Sequence, residues 1–330
     1  MTPVRKKCIH ICDFERLNVL DRGTKVLIIV NLVLMVILSG MAFFFFGMKS
    51  PAKKAQPETK NIRSEISGEN QRIDDSGEIM NVIRRTLGDD SSRYSVYIFR
   101  PGIDEEPVIF NSKKMQPASM IKMFVLAKAM SDVKNGSLLL DEPIVINSAN
   151  IVGGAGSLSG YGAGREVPVR LALELMISQS DNTATNILID RLGIENINKY
   201  ISENGYSDTK LNHKMMLVGG RESNYSSARD LGNLFKKIYN HECVDYQSDQ
   251  LMISWLLKQE AEECLPTALP FLNIAHKTGE SDDSYHEGGI CFGSSKDLII
   301  VMMNDNLKDR TDTIEKMKKI ASTVAKNFLR

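Results

Sequence analysis

The sequence predicts an α/β protein in the broad (α+β) sense. It would combine a largely antiparallel sheet flanked by helices, an all-helical lobe and one N-terminal transmembrane helix. Three observations carry this. Strand-like runs lie near both ends of the C-terminal 255 or so residues, with helical periodicity between them. An uncharged apolar run near the N-terminus is long enough to cross a bilayer. A polar stretch separates the two. Strands from both ends meeting in one sheet leave the helical middle as a second lobe, with a cleft at the seam where small molecules usually bind.

Composition narrows the chemistry. The 330 residues carry 41 Lys+Arg against 41 Asp+Glu, so the formal net charge is zero. No basic stripe with interleaved aromatics points to nucleic acid. Five cysteines without repeated spacing exclude a disulfide framework and a zinc ribbon. The five histidines (10, 213, 241, 276 and 286) form no H-x-H or H-E-x-x-H pair, so neither a metal nor another cofactor is expected.

Residues 26–47 (VLIIVNLVLMVILSGMAFFFFG) hold 22 positions without a charge. As a helix they span roughly 33 Å, the thickness of a bilayer core. A cleaved signal peptide is the rival, but its apolar stretch is shorter and ends at a small-residue cleavage site. Six cations (Arg5, Lys6, Lys7, Arg16, Arg22, Lys25) precede the span and four (Lys49, Lys53, Lys54, Lys60) follow it, a slight bias toward a cytoplasmic N-terminus. The expected organisation is a cytoplasmic tail (1–25), a transmembrane helix (26–47), a polar linker (48–75) and an extracytoplasmic domain (76–330) at the cell membrane.

Within that domain a helix is expected near 77–87, followed by strands at 94–99 (YSVYIF) and 106–110 (EPVIF). Apolar residues at helical spacing mark 120–130, 169–177, 183–192 and 228–239. Ser227, with Asp230 three residues on, reads as a capping-box variant for the last of these. GGICFG and DLIIVMM read as closing strands, and a helix runs from about Thr311 to Leu329.

Three short motifs carry chemistry. In Pro117-Ala-Ser-Met-Ile-Lys122, Ser119 and Lys122 stand three apart at a helix start and share a face. A serine hydroxyl needs a base to become a nucleophile, and a lysine whose amine is kept neutral by desolvation and a nearby cation can be that base. Ser180-Asp181-Asn182 opens another helix, where any of the three would also serve as a plain N-cap. His276-Lys-Thr-Gly279 lies in an expected strand, where Gly279 permits close backbone approach. An edge strand guarded by a lysine is the bland alternative. Each motif alone is weak.

Together, in order, and separated by 61 and 97 residues, S-x-x-K, S-D-N and K-T-G form the signature of class A β-lactamases and penicillin-binding proteins. LALELMISQSDNTATNILIDRLG, GAGSLSGYGAG and NYSSARDLGNLF also resemble segments of the class A β-lactamase family, and the resemblance covers about residues 76–330. It implies a serine β-lactamase/DD-peptidase-like fold. It implies Ser119 as the acylated nucleophile, Lys122 as base or proton relay, and Ser180 as the group passing a proton to the leaving nitrogen. Asn182 would orient Lys122 and the substrate. Lys277 and Thr278 of Lys277-Thr278-Gly279 would bind a substrate carboxylate, and the backbone N–H groups of Ser119 and Glu280 would form the oxyanion hole. The implied partner is a β-lactam or a D-Ala-D-Ala-like peptidoglycan peptide.

One departure stands out. The family carries Glu-x-x-Leu-Asn on a later loop, and its glutamate activates the deacylating water. In the matching stretch here, Thr209–Met216, Met215 occupies that place, and a thioether accepts no proton from water. Glu222 and Asp208 are the nearest carboxylates, and both read as solvated loop residues. Acylation therefore looks complete and deacylation slow.

The glycine-rich run 152–164 lacks the Lys-Ser/Thr of a phosphate loop. Asp282, Asp283 and Glu287 read as a solvated acidic patch, and among Cys243, Cys264 and Cys291 one pair has the option of bridging. Three functions follow: a membrane-anchored serine hydrolase forming acyl-enzymes with β-lactams or related amides, a D-alanyl-D-alanine peptidase of the cell wall, or a non-catalytic ligand-binding sensor.

Overall fold

A computed structural model describes residues 75–216 and 222–329. The expected tail, membrane span and all but the last residue of the linker lie outside them. Among the described residues no helix is long and apolar enough to cross a membrane.

Helix α1 (Ser76–Leu87) leads through a 3-10 turn (Gly88–Arg93) into strands β1 (Tyr94–Phe99) and β2 (Val108–Phe110). A second 3-10 turn (Ala118–Ile121) runs directly into α2 (Lys122–Lys134). Two short strands, β3 (Pro143–Val145) and β4 (Glu166–Pro168), pair with each other. The helices α3 (Val169–Ser178), α4 (Asn182–Leu192), α5 (Ile194–Glu203), α6 (Ala228–Tyr239) and α7 (Tyr246–Leu256) follow. A short α8 (Leu265–Ala268) precedes β5 (Asn273–Ser281), β6 (Ser284–Phe292) and β7 (Leu298–Asp305), and α9 (Arg310–Phe328) closes the fold.

The strand order is β2-β1-β7-β6-β5, with every neighbouring pair antiparallel. Strands from both ends of the domain therefore meet where β1 lies beside β7, with Tyr97 opposite Val301. The sheet is buried on both faces, and the strand period of two sorts its side chains. Ile299, Val301 and Met303 of β7 join the core shared with the helical lobe. Leu298, Ile300 and Met302 join a second core under α1 and α9, with Ile79, Ile83, Met317 and Ile320.

The strand 94–99 and the helix 228–239 have the expected limits. The expected helix at 120–130 begins at Lys122, because Ala118, with φ 45°, forces a 3-10 turn first. Helices α5 and α7 and the β3–β4 pair were not anticipated. Helix α5 buries only Ile197, Tyr200 and Ile201 among polar neighbours, and Pro143 and Pro168 disguise the small sheet. The capping box at α6 is half formed. Ser227 Oγ accepts the Asp230 N–H at 3.2 Å, but the Asp230 carboxylate is taken by Asp208 N and Thr209 Oγ1.

Candidate active site

Ser119 sits in the 3-10 turn before α2, half-buried, on the wall of a cleft of about 510 Å3. Asn182 lines the same cleft from the helical lobe, Glu280 and Asp282 from the end of β5, and His213 and Met215 from a loop after α5. Ser119 in the turn and Lys122 at the start of α2 stand three residues apart, which places them on one face. The residue before Ser119, Ala118, holds a left-handed φ of 45°, and Ser180 holds one of 55°. Each such non-glycine conformation costs on the order of 1–3 kcal/mol and persists only where the surroundings over-determine it.

Lys122 is fully buried. Its Nζ lies 2.5 Å from the Ser180 carbonyl oxygen, 2.8 Å from Asn182 Oδ1 and 3.1 Å from Ser180 Oγ. Burial holds its pKa well below the usual lysine range, and the cation of Lys277 adds to this, while Asp181 opposes it. Lys277, on β5, is equally buried, and its Nζ donates to Ser180 Oγ at 3.0 Å and to the Thr278 carbonyl at 2.8 Å. Burial lowers the Lys277 pKa to about 7 against the opposing pull of Glu287. A single hydroxyl, Ser180 Oγ, thus bridges two buried amines, both held below the usual lysine range.

The S-D-N triplet divides its labour. Asp181 is the helix cap: its Oδ1 accepts the Ala184 N–H at 2.7 Å and its Oδ2 the Leu158 N–H at 2.6 Å. Gly156 is required beside it, because a Cβ there would lie 2.2 Å from the carboxylate. With the cap supplied by Asp181, Ser180 and Asn182 are left to Lys122. Asn182 is itself oriented, since its Nδ2 donates to the Gly153 carbonyl at 3.0 Å.

β5 is an edge strand, yet Lys277 points inward rather than guarding the edge. Gly279 explains how close the strand comes to the Ser119 turn. A Cβ there would stand 2.7 Å from the Pro117 carbonyl oxygen and 3.0 Å from the Met120 backbone nitrogen. Thr278 is half-buried beside it, and the Glu280 side chain turns to Arg310, Oε1 to Nε 2.6 Å. On β6, opposite Gly279, a buried His286 supports the same turn. Its Nδ1 accepts the Asn304 N–H at 3.1 Å, so Nε2 carries the proton and donates to the Gln116 carbonyl at 2.8 Å. Burial lowers the His286 pKa to about 4. Sequence reasoning passed over His286 and His213, because isolated histidines carry no spacing signal.

Two expectations change. The acidic patch does not exist as a unit: Glu287 is fully buried on β6, 2.6 Å from His276 Nδ1 and accepting the Leu265 N–H at 3.0 Å, whereas Asp282 and Asp283 stay at the turn. The alternation of β6 decides this, placing Glu287 opposite Thr278 and His286 opposite Gly279. Cys243, Cys264 and Cys291 are all free thiols. Neither Asp208 nor Glu222 lines the cleft; they pair with Lys114 at 3.7 Å and Lys210 at 3.8 Å. Met215 does line it, its backbone held by Asn186. Among the described residues no group of three or more His, Cys, Asp or Glu is placed to hold a metal ion.

A serine at a cleft, a buried amine one turn on and a hydroxyl bridging to a second buried amine define a serine hydrolase working by acyl transfer. The chain belongs to the beta-lactamase enzyme family, whose profile matches residues 78–328. It is 26% identical over 216 residues to the extended-spectrum beta-lactamase PER-1 of Pseudomonas aeruginosa, covering 61% of this chain and 68% of that protein. Among solved structures it is similar to PBP-A, with a TM-score of 0.70 and 25% identity over 77% of this chain and 96% of that one. It also shares its fold with a beta-lactamase from Sphaerobacter thermophilus, at a TM-score of 0.71 and 23% identity over 78% and 99% of the two chains.

Proposed function

We propose that the chain is a membrane-anchored serine hydrolase that opens β-lactams or related amides through an acyl-enzyme on Ser119. Residues 26–47 hold it in the cell membrane, 1–25 lie in the cytoplasm, and the domain 76–330 works outside on a polar linker. The observation that carries the chemistry is the pair of fully buried lysines sharing Ser180 Oγ beside the nucleophile turn. Two neighbours of Lys122 Nζ, the Ser180 carbonyl and Asn182 Oδ1, only accept hydrogen bonds. A neutral amine spends its two N–H groups on them and keeps its lone pair for a hydroxyl.

Lys122 then takes the proton of Ser119 Oγ as that oxygen attacks the amide carbonyl. Ser180 Oγ relays a proton to the leaving nitrogen. Lys277 and Thr278 receive the substrate carboxylate, whose charge favours protonated Lys277. The N–H groups of Ser119 and Glu280 stabilise the oxyanion, a contribution of about 3–4 kcal/mol per donor in comparable sites. Similarity to proteins named beta-lactamases supports the substrate class. A second reading, a D-alanyl-D-alanine peptidase of the cell wall, draws on Met215 in the cleft, which supplies no base for rapid hydrolysis.

The test is intact-protein mass spectrometry over time with a penicillin. A mass increase by one penicillin, absent in Ser119→Ala, is expected. Steady loss of the adduct favours the hydrolase, whereas a long-lived adduct with release of D-alanine from a wall peptide favours the peptidase. A folded wild-type protein that gains no mass would leave a non-catalytic binding domain. Membrane extraction of the full chain, compared with one lacking residues 1–47, tests the anchor.

A further inference from the structure

The same loop that lacks the expected glutamate presents an imidazole to the cleft. His213 lines the cavity together with Ser119. Its Nδ1 lies 2.7 Å from the Lys214 carbonyl oxygen. A carbonyl only accepts, so Nδ1 bears a proton, and in the neutral ring Nε2 keeps a lone pair. That lone pair has no hydrogen-bond partner among the described residues.

The imidazole stands on a fixed backbone. Buried Asn224 receives the N–H groups of Asn212 at 2.7 Å and His213 at 3.0 Å on Oδ1, and its Nδ2 donates to the His213 carbonyl at 3.1 Å. Two residues on, Asn186 holds Met215 through both backbone polar groups, at 2.8 and 3.1 Å. Between them Lys214 pairs with Asp190 of α4 at 2.5 Å. A loop held at His213 by Asn224 and tied to α4 at the next two residues keeps the imidazole in one place, as a general base must be kept.

Other bases in the cleft are less suited. Glu280 is engaged by Arg310, Met215 accepts no proton, and Asp282 sits exposed on the β5–β6 turn with no orienting hydrogen bond among the described residues.

We infer that His213 is the general base that activates water for deacylation, an inference that rests on the acyl-enzyme reading above. Nε2 removes a proton from a water in the cleft while the water oxygen bonds to the ester carbonyl carbon. The tetrahedral intermediate then breaks its bond to Ser119 Oγ. Nε2 returns the proton to that oxygen, and the ring-opened acid leaves. The product gains one water, and the enzyme is restored.

The test separates the two half-reactions by following adduct mass with a penicillin in wild type, His213→Gln, His213→Ala and Asp282→Asn. Expected are adduct formation within a few-fold of wild type for His213→Gln and a decay slowed about 100-fold or more. Added imidazole should restore part of the decay rate in His213→Ala. Adduct formation in the variants themselves reports an intact fold. Decay in His213→Gln within about three-fold of wild type overturns the inference, as does a decay abolished by Asp282→Asn alone, or a wild-type adduct that never decays. Absence of any adduct in wild type is a separate failure, that of the acyl-enzyme reading.

Discussion

Substituting Gly279 by alanine tests how tightly β5 is set against the turn that carries Ser119. The added Cβ would stand 2.7 Å from the Pro117 carbonyl oxygen and 3.0 Å from the Met120 nitrogen, whereas ordinary contact begins at 3.4 Å. Both obstacles are backbone, and they are already joined by the hydrogen bond from Met120 N to Pro117 O at 2.9 Å. No rotamer change relieves the clash, so strand and turn must part by about 0.7 Å, the difference between 3.4 and 2.7 Å. Overpacking of this kind costs about 1–3 kcal/mol. For a domain of this size that lowers Tm by roughly 2–12 °C. The same displacement separates the Glu280 N–H from the Ser119 N–H, the two proposed oxyanion donors. Since a misplacement of about 1 Å costs about 100-fold, acylation should fall roughly 10- to 100-fold. Calorimetry reads the first effect and time-resolved adduct mass the second. An alanine variant that melts like wild type and acylates at the wild-type rate would refute the reasoning. A lowered Tm with unchanged acylation would refute only the oxyanion geometry.

Three further outcomes follow from the same geometry. Lys122→Arg should lose acylation by about 100- to 10,000-fold, because a guanidinium stays charged and offers no lone pair; Lys122→Met, closer in volume, should lose it as well, and retained labelling in both would remove Lys122 as the base. His286, lowered from the ordinary 6.5 to about 4 in the folded protein, binds its proton less readily there than in the unfolded chain. Stability therefore rises with pH between about 4 and 6.5, by roughly 3 kcal/mol from this group, and is lost as acid is added; a shallower Tm-versus-pH slope is expected for His286→Gln, and an identical slope would contradict the burial argument. Asp181→Ala removes a helix cap and strands the Leu158 N–H, a combined loss of about 2–4 kcal/mol measurable by urea unfolding; a loss under about 1 kcal/mol would mean that water replaces the carboxylate.

Much of the fold is visible in local pattern. β1 and α6 stand out because a run apolar but for Ser95 and a strong helical stripe survive any tertiary context. Helices α5 and α7 are harder: α5 shows few apolar residues, α7 bunches its own at 251–256 instead of spacing them along a stripe, and each depends on neighbours for its stability. The site divides in the same way. Ser119, Lys122, Ser180, Asn182 and Lys277 are recognisable from residue type and order, and the structure gathers Lys122, Ser180, Asn182 and Lys277 into one hydrogen-bonded cluster beside Ser119's turn. His213 and His286 are not recognisable, because what matters is which ring nitrogen meets a carbonyl or an amide far away in the chain.

The sequence by itself determined the inventory: a serine and a lysine one turn apart, a hydroxyl–amide pair, a second lysine near a glycine, and a loop with a methionine where the resemblance expects a glutamate. These are matters of residue type and local spacing, written along the chain. Only the tertiary structure decided which groups are charged and which are free. It seals both lysines from water, assigns capping to Asp181 instead of Ser180, buries Glu287 against His276, keeps the cysteines unpaired and turns His213 to the cleft. Protonation and hydrogen-bond partnership depend on desolvation and on neighbours distant in sequence, and both come into being when the sheet and the helical lobe close on each other.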